Sequence, residues 1–286
     1  MKKRLVLCLL AVLFSGISCV AQQSQSPAQG LTFWYDYSVN PGKEADFMDL
    51  VKTVGQPVRD KLMADGVVQA WGVQTPLLRV PGDTNHVIWF AVNDYAALEK
   101  VLAAMAAQIA KLDEEAAKSG VAKKGAKAAA SLTARLGEVA DMSKVHDYLT
   151  RDIISADYHV PPVGTLPYTR LNLFKVKSGK AVEYRKAFEK YNKPVFDKLL
   201  ADGIILGYGL SVEDIRTDGD FTHFVWFDVK DLASFDKVRA AFIADRDRRS
   251  QEEQDAITHQ FASLVDGDAS RQEVLRSLVF HAPAPK

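Results

Sequence analysis

The sequence predicts an α+β protein made of two tandem βαββαβ units, packed sheet to sheet as a barrel within one chain. The first observation is a repeat: the stretch Pro57 to Gly66 returns 137 positions later as Pro194 to Gly203. The second is that the same offset carries Gly82 to Phe90 onto Gly219 to Phe227, so the halves agree in register over a long span. The third is the alternation of period-2 and helical apolar patterns in the same order in each half. A sheet whose helices cover only one face leaves the other bare, and the second copy is what covers it.

Each element has a local cause. Leu31 to Val39 alternates bulky and polar residues and ends at Asn40-Pro41-Gly42, which predicts a strand. Glu44 to Asp65 places Phe47, Leu50, Val51, Val54, Val58 and Leu62 at helical spacing, with Gly66 at the C-cap position and a kink expected at Pro57. Val67 to Leu77 and His86 to Asn93 flank the turn Pro81-Gly82-Asp83 and predict a hairpin. Tyr95 to Glu115 is helical in pattern, and the Ala- and Lys-rich run Ala116 to Ala130, continuing through Leu132 to Val139, extends the helical layer. Asp152 to Val160 is the last strand of the first half.

The second half predicts Tyr168 to Val176, Lys180 to Asp202, Ile204 to Val212, Thr222 to Val229, Leu232 to Gln254 and Leu275 to His281 in the same order. Arg151 matches Arg276 at an offset of 125, so the first copy carries about twelve extra residues in its Ala-rich region. The domain reading is a signal peptide over 1–21, a flexible leader over 22–30, a first repeat over 31–160, a linker over 161–167 and a second repeat over 168–286.

A chain of 286 residues with 48% hydrophobic and 25% charged composition has ample material for two globular units. Lys2, Lys3 and Arg4 followed by the apolar Leu5 to Phe14 read as an export signal, cleaved after Ala21; a lipoprotein anchored through Cys19 is the competing reading. Cleavage removes both cysteines, Cys8 and Cys19, and leaves 33 basic against 36 acidic residues. That balance recruits neither nucleic acid nor anionic membrane.

A duplicated βαββαβ unit of this size resembles the dimeric α+β barrel superfamily, in which two ferredoxin-like units press their open sheet faces together. The resemblance covers 31–160 and 168–281 and implies a ligand cavity between the sheets. Members include cofactor-independent monooxygenases and haem-binding or haem-degrading enzymes. No family motif matches here closely enough to transfer a catalytic role.

The chemistry-bearing residues are therefore weighed one by one. No two histidines stand at metal-site spacing, and no Gly-x-Ser-x-Gly or Gly-rich phosphate loop occurs. The expected cofactor is none, with haem the exception that the resemblance implies, through an axial ligand such as His259. His86 and His223 recur at one strand entry, where bonding to the preceding turn accounts for both. Arg246 to Arg249 with Glu252 and Glu253, and Lys123, Lys124 and Lys127, read as solvated helix surface.

Strand alternation sorts the rest. Ile88, Phe90 and Val92, matched by Val225, Phe227 and Val229, should face the helices, which turns Trp89, Trp226 and Asp228 toward the cavity. The same reasoning puts Arg170 and Asn172 inward, equivalent to Phe33 and Tyr35, and also Trp71 and Tyr208, whose alternates are Ala or Gly. Arg170 and Asp228 are then expected to meet. The predicted ligand-binding set is Tyr35, Trp71, Trp89, Arg170, Asn172, Tyr208, Trp226 and Asp228. The leading reading is an exported monomer with an internal pseudo-dimer that binds a small, partly aromatic or apolar ligand. A cofactor-independent oxygenase and a haem protein are the alternatives, and side chains that merely fill the barrel would explain the aromatics equally.

Overall fold

The structure is a computed structural model that describes residues 30–282 apart from 81, 122–130, 163 and 218–220. The signal-peptide reading, nearly all of the leader and the three lysines at 123, 124 and 127 lie outside the described residues. Eight strands close a barrel in the order β1-β3-β2-β8-β5-β7-β6-β4, with every neighbouring pair antiparallel. They are β1 (Leu31–Tyr37), β2 (Val68–Pro76), β3 (His86–Val92), β4 (His146–Ser155), β5 (Tyr168–Val176), β6 (Gly207–Ile215), β7 (His223–Val229) and β8 (Val265–His281).

Each half contributes four adjacent strands in equivalent order, β4-β1-β3-β2 and β8-β5-β7-β6. The halves meet edge to edge at two hydrogen-bonded seams, β2 with β8 and β4 with β6. Closure gives every strand a hydrogen-bonded neighbour on both sides, which two separately stacked sheets would not achieve.

The helices lie outside: α1 (Glu44–Leu50), α2 (Gln56–Ala64), α3 (Tyr95–Val121) and α4 (Leu132–Val139) on the first half, α5 (Ala181–Ala187), α6 (Lys193–Ala201), α7 (Ala233–Asp247) and α8 (Gln251–Leu264) on the second. One core lies under the first set around Phe47, Trp71, Phe90 and Val101, and another under the second around Phe188, Phe196, Tyr208 and Phe227. A third, smaller cluster of Leu171, Leu173, Phe221, Phe224 and Leu275 sits inside the barrel.

The predicted elements shift in instructive ways. The kink expected at Pro57 is a π-helical turn, Val51–Gly55, between α1 and α2, and the second copy repeats it at Phe188–Asn192 before Pro194. Proline has no N–H and its ring crowds the carbonyl four residues back, so widening the turn removes the clash. The helix expected over 232–254 breaks at Ser250, where a capping box with Glu253 starts α8. β4 begins at His146 rather than Asp152, and β8 at Val265 rather than Leu275.

Candidate functional site

Side chains that are paired across antiparallel strands share a face, so the ladder register decides what lines the barrel interior. Trp34 pairs with Trp89, Thr169 with Asp228 and Leu171 with Trp226, and all of these point into the lumen. The lumen holds a cavity of about 430 Å³ lined by Trp34, Trp89, Phe224, Trp226 and Phe280 together with polar side chains from both halves. Trp89, Trp226 and Asp228 thus stand where strand alternation placed them.

The other five expected residues do not reach this cavity, and their orientation is corrected here. Tyr35 packs against Phe33 at 4.6 Å between ring centroids, on the helix side of β1. Trp71 is fully buried under α2, its indole N–H donating to Asp60 Oδ1 at 2.9 Å. Tyr208 is its counterpart: its hydroxyl donates to Asp197 and its ring stacks on Phe196 at 4.9 Å. Arg170 and Asn172 line a separate cleft of about 800 Å³ between the second half's sheet and its helices, where Arg170 bonds Gln272. Arg170 pairs with Phe227, not with Asp228, so the expected ion pair does not form.

The parity error in β2 has a physical cause. Gly72 and Gly209 face inward because the indoles of Trp89 and Trp226 lie on them: a Cβ at Gly72 would stand 2.9 Å from Trp89 Nε1, and one at Gly209 would clash with Trp226 Nε1. Small residues there admit a neighbouring indole, not an approaching helix. In β1, Phe33 and Tyr35 are aromatic because helices cover them, while the lumen set Thr32, Trp34 and Asp36 is of mixed polarity.

Two carboxylates give the lumen its chemistry. Asp228 is buried; Tyr158 donates its hydroxyl to Oδ2 at 2.8 Å, while Oδ1 has no hydrogen-bond partner. Burial raises its pKa to about 6 against the opposing pull of the Thr169 and Tyr158 hydroxyls. Asp152, on β4 across the β4–β6 seam, accepts from Trp226 Nε1 at 3.2 Å and from the Ser211 hydroxyl, and desolvation raises its pKa too. At the opposite end a small pocket holds Asp36, raised to about 7 by burial and by Glu273, with Arg271 bonded to Glu273 at 2.9 Å.

Sequence reasoning missed Asp152, Tyr158, Thr169, Gln74 and Trp34 at this site. The parity of β3, propagated through the pairing of Trp34 with Trp89, is the signal that finds Trp34. Nothing periodic marks Tyr158, which lies in the coil after β4.

His86 and His223 bond Asn85 Oδ1 and Thr222 Oγ1, both at 2.9 Å, as expected of strand-entry residues beside a turn. His259 is exposed on α8, and among the described residues no histidine lines the lumen or the helix-side cleft, so these sites do not offer haem an imidazole ligand. No group of three or more metal-ligating side chains occurs among the described residues, and no described helix is long and apolar enough to cross a membrane.

No protein-family profile matches the sequence, and no curated protein matches it. Solved structures do match the fold. A protein of Fusobacterium nucleatum subsp. nucleatum described as a candidate monooxygenase superposes with a TM-score of 0.57 at 16% identity, over 89% of this chain and 95% of that one. Another so described, from Lactobacillus acidophilus, gives 0.56 at 8% identity over 89% and 96%. An anthrone oxidase-like protein gives 0.52 at 11% identity over 90% and 94%. At these identities the likeness is one of fold: the chain has the dimeric α+β barrel fold.

Proposed function

We propose that the barrel lumen binds a small, flat, largely apolar molecule and that Asp228 acts on it as a proton acceptor. The observation that carries this is the Asp228 carboxylate itself, with one oxygen fixed by Tyr158 and the other without a partner beside an aromatic-lined cavity of about 430 Å³. A buried acceptor raised to about 6 holds a proton more tightly than an ordinary carboxylate and is still largely ionised at neutral pH. Asp228 Oδ1 takes a proton from an acidic C–H or O–H of the ligand, and the electron pair stays on the ligand.

Cofactor-independent oxidation is the enzymatic form of this reading, and the monooxygenase and anthrone oxidase-like proteins that share the fold support it. On an activated methylene the balance is R₂CH₂ + O₂ → R₂C=O + H₂O, with dioxygen as the oxidant. The test is exchange of the anthrone methylene protons with D₂O, followed by NMR, alongside oxygen uptake. Exchange above the buffer rate that Asp228→Asn abolishes is expected. Buffer-rate exchange in the wild type removes the proton-transfer reading, and oxygen uptake without it removes Asp228 from the step.

The same proposal takes residues 1–21 as an export signal, 31–160 and 168–286 as duplicated ferredoxin-like units joined by 161–167, and the protein as a monomer. The repeat offsets and the equivalent strand order of the halves support the duplication.

A further inference from the structure

The two halves can be overlaid by their repeat offsets, and among the places where their lumen residues differ is the corner held by Asp152 at one seam and Ser277 at the other. The offset of 137 carries Gly72, Gln74 and Trp89 onto Gly209, Ser211 and Trp226, and that of 125 carries Asp152 onto Ser277. The ladders agree: Asp152 pairs with Ser211 across one seam and Ser277 with Gln74 across the other. Each indole lies over its glycine, and a Cβ on either glycine would crowd the equivalent carbonyl, Val279 O at 2.8 Å or Ile154 O at 3.0 Å.

In the second half this arrangement is closed, because the Asp152 carboxylate accepts from both Trp226 Nε1 and Ser211. At the β2–β8 seam Ser277 stands where the β4–β6 seam has the aspartate, and Trp89 Nε1, Ser277 Oγ and Gln74 Oε1 are all buried without a hydrogen-bond partner. Ser277 and Gln74 are 1% and 2% exposed, so bulk water does not serve them. Buried polar atoms left without partners are costly, and three of them around one seam are what a built ligand subsite looks like before its ligand's oxygen arrives.

We propose that the Trp89–Ser277–Gln74 corner is a subsite for a neutral acceptor oxygen of the ligand, a carbonyl, seated where the β4–β6 seam places the Asp152 carboxylate. Trp89 Nε1 and the Ser277 hydroxyl donate to it. The Gln74 amide donates to Thr169 Oγ1 at 2.7 Å; a half-turn that presents its N–H₂ to the same oxygen takes the Thr169 proton for Gln74 Oε1, in exchange for the pull of that hydroxyl on Asp228. A neutral oxygen is favoured over a carboxylate because Thr169, which holds Gln74, also faces Asp228 across its strand pair, and two carboxylates there would repel. The ligand class is therefore an apolar aryl ketone. This rests on the lumen being a ligand site.

The experiment compares 2-acetylnaphthalene with 2-ethylnaphthalene, which lacks the oxygen, by calorimetric titration of the full chain, and follows the indole N–H resonances. The ketone should bind about tenfold tighter or more than the hydrocarbon and shift one indole N–H, the one missing from Trp89→Phe. In Trp89→Phe the preference should fall to about twofold or less with hydrocarbon binding retained. Ser277→Asp, which installs at this seam the carboxylate that Asp152 supplies at the other, should remove the preference and shift the Trp89 resonance without any ligand. Equal binding of the two probes to the wild type, or a preference that survives both substitutions, overturns the subsite and leaves the lumen site standing. Binding of neither probe removes both.

Discussion

Trp226 donates its indole N–H to Asp152 across the seam between the two halves, while the equivalent indole of Trp89 has no protein acceptor. Two residues that the repeat makes equivalent therefore differ in what their removal costs. Trp226→Phe deprives a buried carboxylate of one of its two donors, whereas Trp89→Phe deletes a donor that was unpaired. Urea unfolding should show Trp226→Phe more destabilising by about 1 kcal/mol or more. Equal losses would mean that the seam bond contributes nothing net.

The stretch that recurs at an offset of 137 has a structural purpose at its aspartate. Asp60 accepts from Trp71 at 2.9 Å and faces His281 Nδ1 of β8 at 3.2 Å, and Asp197 accepts from Tyr208. Both ring systems are fully buried, so the acceptor on the helix is what satisfies their polar tips. Asp60→Ala should cost about 1–3 kcal/mol, and Asp60→Asn, which keeps an acceptor oxygen, should recover most of it. Thermal unfolding of the pair decides whether the bond or the helix surface is at stake.

The duplication, the element order and the inward set of β3 and β7 were legible because each rests on a repeated word or a uniformly apolar alternate face. The inward sets of β1, β2 and β5 were not. On those strands both faces are covered, one by helices and one by the opposite wall of the barrel, so Tyr35 and Trp34 look alike in hydropathy while pointing opposite ways. Glycine misleads similarly, since Gly72 and Gly209 make room for indoles that arrive from a neighbouring strand. Closure of the barrel through the β2–β8 and β4–β6 seams depends on contacts far apart in sequence that no local pattern records. α8 was legible in principle, as Ser250 and Glu253 spell a capping box.

Arg59 is a buried cation of the first half. It is 4% exposed, its Nε has no partner, and burial lowers its pKa; the Trp71 ring stands 5.6 Å from the guanidinium carbon, and the Tyr35 and Tyr37 hydroxyls and the Asp60 carboxylate are its electrostatic neighbours. The second half has Phe196 at this position. Arg59→Met removes a poorly compensated buried cation and keeps the apolar length, so it should leave stability unchanged or raise it by about 1 kcal/mol. A loss of more than about 2 kcal/mol would show that the guanidinium is bonded better than its geometry indicates.

The buried carboxylates set how stability responds to pH. Asp36 and Asp228 have folded pKa values of about 7 and about 6, above their unfolded value of 3.8, and those of Asp152 and Glu273 are raised as well, all chiefly by desolvation. Between the unfolded and folded values the native state binds more protons than the unfolded chain, so stability falls as pH rises. Their contribution is complete below about pH 4 and is lost as pH climbs through 6 to 7. Asp214, held low by its bonds to Arg151 and Tyr95, acts oppositely and loses its contribution as pH falls through its lowered value. Stability should therefore be highest near about pH 4, decline from there to about pH 7 and level off above it. Asp36→Asn should flatten the upper part of that decline and Asp228→Asn the lower part, read as denaturation midpoints at half-unit pH steps. A wild-type profile that rises from pH 5 to pH 8 would mean that these carboxylates are ionised and well solvated in the folded protein, and Asp228 would then be an ordinary carboxylate rather than a tuned base.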